Sequence, residues 1–457
     1  MADALRSAAD NIFLLNKSDH GITRNTDPHM NTPRSGALLL SFLALTGAAS
    51  VLAADLPTAE EYRGNWPRFR GADGGGVAKT GVPLAFDTKA GTNIAWTTAV
   101  PAAGFNSPVV WGDRVFLSGG DDAKCEVMCF DVQNGKLLWR TAVPKLERAA
   151  DEKQEATDQS GMAAPTMATD GRRAYAIFAN GDLAAFNFDG SVAWAKHLVI
   201  PKNAYGHASS LATWEDRVIV QIDQGEADDK LSKLFAFDGT NGAVVWEKER
   251  NVGASWATPI VIEAAGKTQL ITLALPWVIA YAPKDGAELW RAEALDGEVT
   301  PSPIFAGSTL FTISPTHSLQ PIRADGSGDV TQTHLGWKAE DGIPDITSPV
   351  SNGGLIFVVD SQGMVTCYNA KDGKKQWEHE LGEECKASPS IVGDKLVIIT
   401  TKGTVVVADV AREFHEISRS RLGEPAFASP AFAGGRMFVR GMKHLFCIGA
   451  KGAPPQQ

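Results

Sequence analysis

FDVQNGKLLW (130–139), FDGTNGAVVW (237–246), YAPKDGAELW (281–290) and YNAKDGKKQW (368–377) are four versions of one unit. Each runs from an aromatic residue through a turn ending in Asn-Gly or Asp-Gly to a strand closed by Trp. FNFDGSVAW (186–194) is a shorter copy. Trp stands at 96, 139, 194, 246, 290, 337 and 377, at intervals of 40 to 55 residues. Periods of about 40–50 residues belong to four-stranded propeller blades.

A second mark keeps the same beat. A small residue followed by Pro occurs at Ser107-Pro108, Ala164-Pro165, Thr258-Pro259, Ser302-Pro303, Ser348-Pro349, Ser388-Pro389 and Ser429-Pro430. Ser209-Ser210 holds the place between the second and third. After each comes an apolar stretch, a turn and a second apolar stretch, as in SPVVWGDRVFLSG (107–119). These read as hairpins whose first strand opens after a Pro, where no ladder hydrogen bond is lost. The eighth start supplies only three strands, in ASPAFAGGRMFVRGMKHLFCIG (428–449). The orphan strand TNIAWTTAV (92–100) completes it and removes the open edge.

The expected fold is therefore an all-β, eight-bladed β-propeller of four-stranded antiparallel blades over residues 92–449, closed by strand 92–100. Trp96, Trp139, Trp194, Trp246, Trp290, Trp337 and Trp377 are expected between blades, because one blade cannot bury both its faces and an indole covers a large area. The seventh unit lacks Trp, and Ile417 or a neighbour takes its place.

This repeat resembles the quinoprotein-type (PQQ-like) propeller repeat, found in PQQ-dependent alcohol dehydrogenases and in the BamB scaffold of outer-membrane assembly. The opening NWPRFRGADGGGV (65–77) and the stretches GWKAEDGIPDITSP (336–349) and KHLFCIG (443–449) resemble a secreted branch of that family. The resemblance implies one of two activities: a non-enzymatic scaffold, or a dehydrogenase of alcohols or sugars with PQQ and Ca²⁺ on the channel axis. The classical enzymes carry two adjacent cysteines and often a C-x-x-C-H haem site, and neither pattern occurs here. Their Ca²⁺ ligands find no match.

The remaining chemistry is sparse. There is no H-E-x-x-H, G-x-S-x-G or Walker loop. Cys129, Cys367 and Cys447 fall where other repeats have Ala185, Ala236 and Ala280, a small buried position. Cys125 lies four residues from Cys129 on one strand, too far for a disulfide. Cys385 falls in a loop, where a reactive thiol or an inert one are both open readings. GADGGGV (71–77) lacks a following helix pattern and reads as a flexible lead-in rather than a phosphate cradle.

The loops before the first strands converge on one mouth of the channel. They supply Phe105, His207, Trp256, Asp345, Lys386 and Phe427, with Arg440 adding a charge if it faces inward; Asn106, Tyr205, Ser255 and Glu298 accompany them. Such a mouth is a candidate ligand or partner surface. KLERAADEKQEATD (145–158) accounts for the longest interval and reads as a solvated loop and candidate partner contact.

The net charge of −10 lacks the basic footprint of a nucleic-acid binder. Residues 30–53 carry Arg34, an apolar run and the small-residue end Val51-Leu52-Ala53, the pattern of a signal peptide cleaved before Ala54. An uncleaved anchor helix is the alternative. The acidic residues of 1–29 suit no n-region, so Met30 is the expected start, with an unusually long n-region as the alternative. Residues 54–91 read as a lead-in and 450–457 as a tail. The whole reads as an exported periplasmic or secreted monomer without a membrane span after cleavage. Its expected partners are envelope or secreted proteins, and no cofactor is predicted.

Overall fold

The computed structural model describes residues 56–79, 81–148, 157 and 160–450. The expected extension 1–29, signal peptide 30–53 and tail beyond residue 450 lie outside them, as does most of loop 145–158.

The apolar stretches pair as the hairpin reading requires. Eight sheets occupy residues 109–142, 168–197, 212–249, 260–293, 304–322, 350–380, 390–421 and 431–448, here blades 1 to 8. In six of them strands A, B, C and D follow in chain order from the axis outward; blade 5 has only A to C, and blade 8 takes its D strand from residues 94–99. The A strands of successive blades touch and form the channel wall. The inner strands are covered on both faces, so they read as continuous apolar runs: Cys125–Asp131 is buried throughout except at Asp131. The outermost strands are partly solvated, as in Leu137–Ala142.

Blade 8 closes as expected. Strand Ile94–Ala99 pairs antiparallel with His444–Ile448, setting Trp96 opposite Cys447. One edge of the ring is thus sealed by a strand from the opposite end of the propeller.

The repeated Trp and Gly are partners across blade boundaries. Trp96 Nε1 donates to Val132 O of the next blade at 2.9 Å, and Trp139, Trp194, Trp246, Trp337 and Trp377 donate likewise to Phe188, Gly239, Pro283, Ala370 and Ala411. The indole lies flat beneath the next blade's turn glycine. A Cβ on Gly135 would sit 2.5 Å from the Trp96 ring, and one on Gly373 2.3 Å from Trp337. Both glycines also have φ near +70°, so the turn excludes a side chain on two grounds.

Two boundaries depart from the pattern. Trp290 bonds Gln269 Oε1 of its own blade, because blade 5 has no equivalent turn to receive it. Its strand C leads instead into Gly328–Asp329, which pairs with Trp290 and Arg291, and the short helix Thr331–His334. Strand D of blade 5 is reduced to bridges at Leu335 and Ala339. Pro321 on strand C has no N–H for the ladder between them. In blade 7 the Trp register falls to Ser418, opposite Val407, with Ile417 half-buried beside it. There the lead-in covers the boundary: Phe86 is buried, its N–H donates to Ser420 Oγ at 3.0 Å, and Ser418 Oγ donates to Leu84 O.

All five cysteines are free and buried. Cys129, Cys367 and Cys447 each sit opposite the blade's Trp, where only a small side chain fits beneath the indole. Of the two readings of Cys385, the inert one holds. It has no exposed surface, and burial pushes its thiol up to about 12, so it carries no thiolate near neutrality.

Candidate functional site

The residue that opens each blade does more than start a strand. Ser107 N–H donates to Thr166 Oγ1, Thr166 N–H to Ser210 Oγ, and the sequence continues through Thr258, Ser302, Ser348 and Ser388 to Ser429. These seven bonds, 2.9 to 3.1 Å long, run from blade to blade around the axis. A hydroxyl suits the place because its oxygen accepts the neighbouring N–H while its own proton stays available. In blade 2 the ring residue is Thr166, not the Ala164 of the Ala164-Pro165 mark.

The Gly-rich segment expected as a flexible lead-in is built into the channel. Trp66 exchanges backbone bonds with Val110 of blade 1, and Pro67 O accepts from Thr169 of blade 2. Arg68 Nη2 donates to Pro259 O of blade 4. Arg70 Nη1 reaches Ser348 O of blade 6 at 3.1 Å, and its Nη2 reaches Pro349 O and Gly75 O. Val77 and Ala78 then add a short parallel strand to blade 7. Residues 66–78 thus touch the inner strands of five blades and fill the axis. Gly74 and Gly76 permit the path: a Cβ would meet Ile260 at 2.7 Å at the first and the Arg70 guanidinium at 2.6 Å at the second.

Both guanidiniums are buried, and burial lowers each from the usual arginine range, Arg70 to about 9. Their bonds to backbone carbonyls offset that cost and tie opposite sides of the ring together. Arg70→Leu would strip several buried carbonyls of a charged donor. Chemical denaturation is expected to show a loss of roughly 2–4 kcal/mol. Arg70→Lys should recover little, because one ammonium cannot replace the two-pronged contact. A loss below about 0.5 kcal/mol, the range of surface substitutions, would contradict the cross-brace.

Above this segment lies a cavity of about 840 Å³ at the mouth formed by the loops before the A strands. Phe69 faces it from the lead-in, and all eight ring hydroxyl residues line it. Phe105, Trp256, Asp345, Lys386 and Phe427, expected at the mouth, line it too, with Tyr205 and Glu298. They are sorted around the rim. Phe105 and Phe427, from blades 1 and 8, meet edge to face with centroids 5.5 Å apart. Tyr205 and Trp256, from blades 3 and 4, form a second such pair at 5.2 Å. Glu298, Asp345 and Lys386 precede blades 5, 6 and 7 and make the charged side, with the Lys386 ammonium 5.7 Å from the Phe427 ring centroid.

Four expected mouth residues do not line the cavity: Asn106 and Ser255, buried and bonded to the wall backbone, and Arg440 and His207. Arg440 is buried in the wall, where Nη1 donates to Asn106 Oδ1 and Ser118 O, both at 2.7 Å, and Nη2 to Ala102 O. Burial holds it at about 9, and it braces blade 8 against blade 1 rather than charging the mouth. His207 is buried, its backbone N–H bonded to Ala179 O, and burial depresses its imidazole to about 4. Conversely, Phe69 and the hydroxyl ring were missed as site residues. The recurring Ser or Thr was visible but read only as strand punctuation.

An eight-bladed ring with Trp-under-Gly contacts at most of its blade boundaries defines a PQQ-like propeller protein. Its family can be stated more narrowly. The family model described as outer membrane protein assembly factor BamB matches residues 76–226, 205–314 and 276–450, and the chain belongs to that family. The BamB of Alkalilimnicola ehrlichii is 28% identical over 229 residues, which cover 48% of this chain and 51% of that protein. The chain thus spans about half the length of this relative. The BamB of Yersinia pestis is 22% identical over 365 residues, covering 74% and 82%. A solved europium-containing methanol dehydrogenase superposes with a TM-score of 0.65 at 12% identity, over 82% of this chain and 89% of that one. That likeness shows the fold alone.

The dehydrogenase likeness raises the question of PQQ and Ca²⁺. The cavity's lining charges are Glu298 and Asp345 against Lys386, and Arg440 is committed to the wall. Among the described residues no group of three or more His, Cys, Asp or Glu is placed to hold a metal ion. A planar tri-anion and its cation do not fit this lining.

Proposed function

We propose that the protein is an exported, non-enzymatic scaffold of the periplasm or cell envelope, presenting its loops to envelope protein partners as a monomer. The observation that carries this reading is the filled axis. Chain segment 66–78 occupies the channel and braces the inner strands, so the ring is a rigid platform with its working surface at the mouth. Membership of the BamB family supports the same reading. Among the described residues no helix is long and apolar enough to cross a membrane. Export rests on the signal-peptide pattern of residues 30–53, and N-terminal sequencing of envelope-recovered protein is expected to begin at Ala54. Protein that retains residues 1–29 would contradict that start. The scaffold reading is tested by capturing the mature protein from envelope extract and identifying what co-purifies by mass spectrometry. Specific co-purification of envelope proteins is expected; recovery of the chain without any would overturn the reading.

A further inference from the structure

We propose that the mouth cavity is a binding site for a neutral oligosaccharide. This goes beyond the scaffold reading and stands or falls without it.

Eight ring hydroxyls face the cavity, each already accepting a neighbour's N–H or, at Ser107, donating its own N–H into the ring. Their protons have no acceptor among the described residues, so the base of the cup offers many weak, rotatable donors and no concentrated charge. A charged ligand gains little from such a surface. A ligand whose own groups both donate and accept, as sugar hydroxyls do, matches it at many points.

The rim fits the same class. The two aromatic pairs belong to different parts of the ring, blades 8 and 1 and blades 3 and 4, and Phe69 of the lead-in lines the cavity with them. Tyr205, Trp256 and Phe69 are each only half-buried, which leaves ring surface for the apolar C–H faces of sugar rings. On the charged side Glu298 is exposed and has no ion pair or hydrogen bond among the described residues, so its carboxylate is placed to accept from paired sugar hydroxyls. Asp345 uses one carboxylate oxygen for Ser361 N–H at 3.3 Å, leaving the other. Lys386 supplies a donor beside them. The volume of about 840 Å³ lies within the range of ligand pockets and holds a short chain of sugar rings rather than one.

A basic peptide is the competing occupant, because two carboxylates face one lysine. It would use Glu298 and Asp345 but leave the hydroxyl ring and the Phe105–Phe427 wall without partners.

The test uses the full mature protein and a panel of neutral oligosaccharides three to five units long. Lysine- and arginine-rich peptides of similar size form the second arm. Binding is read by calorimetry and by Trp fluorescence. At least one neutral oligosaccharide is expected to bind at micromolar to low-millimolar strength. Trp256→Ala should weaken it tenfold or more, and so should Glu298→Gln, an exposed change that leaves folding untouched. Binding that ignores salt is expected for an uncharged ligand. No saccharide binding up to several millimolar would overturn the proposal. So would peptide binding that falls with salt, or saccharide binding indifferent to both substitutions.

Discussion

Trp96→Ala is expected to lower the stability of the propeller by roughly 3–5 kcal/mol, the cost of emptying a large buried aromatic site. Three contacts are lost at once. The indole fills the space between blades 8 and 1, its N–H satisfies Val132 O, and its face supports the turn at Gly135. Its strand, Ile94–Ala99, is the outermost strand of blade 8 and the point of ring closure. Hydrogen exchange should accelerate first at residues 94–99 and 444–448, because their pairing depends on that anchor. Gly135→Ala attacks the same contact from the other side, since its Cβ would overlap the ring. A Trp96→Ala protein that loses less than 1 kcal/mol, with unchanged exchange at 94–99, would show that closure does not rest on this residue.

Acidification should weaken the fold through His207. Burial holds its imidazole at about 4 in the folded chain, while an exposed histidine titrates near 6.5. Between those values the unfolded chain binds a proton that the folded chain refuses. Stability therefore falls as pH drops from about 6.5 to about 4, by about 1.4 kcal/mol per pH unit, or roughly 3 kcal/mol in all. Below about 4 this contribution is fully lost. His207→Gln removes the titration, so its stability should decline less steeply than the parent's across this window. Denaturation curves at pH 7 and pH 4.5 measure the difference; equal slopes in both proteins would refute the assignment.

The blades were legible because each carries its own punctuation. The Trp, the turn Gly and the Ser or Thr recur at one beat, and each contacts its counterpart one repeat away. Closure was legible for the same reason: a missing strand at one end matched a spare strand at the other. The channel segment was not legible. Arg68 meets Pro259 across 191 residues and Arg70 meets Ser348 across 278, and no periodic mark joins them. Glycines that let a chain pass close to a wall look in sequence like glycines of a loose linker. The mouth was half legible. Loops before the A strands must converge, so Phe105, Trp256 and Phe427 follow from topology. Whether a given side chain turns inward depends on local bonds, and Arg440 turns to Asn106 and Ser118 instead. Blade 5 was misleading because Trp337 keeps the beat while Pro321 interrupts the ladder beside it.

The central claim is that this propeller is a scaffold rather than a quinoprotein dehydrogenase. Calorimetric titration of the mature protein with PQQ in the presence of Ca²⁺, paired with dye reduction on alcohols and sugars, tests it most directly. The lining charges of Glu298, Asp345 and Lys386 predict no binding at micromolar strength and no dye reduction. Micromolar or tighter binding together with turnover of any alcohol or sugar would contradict the account.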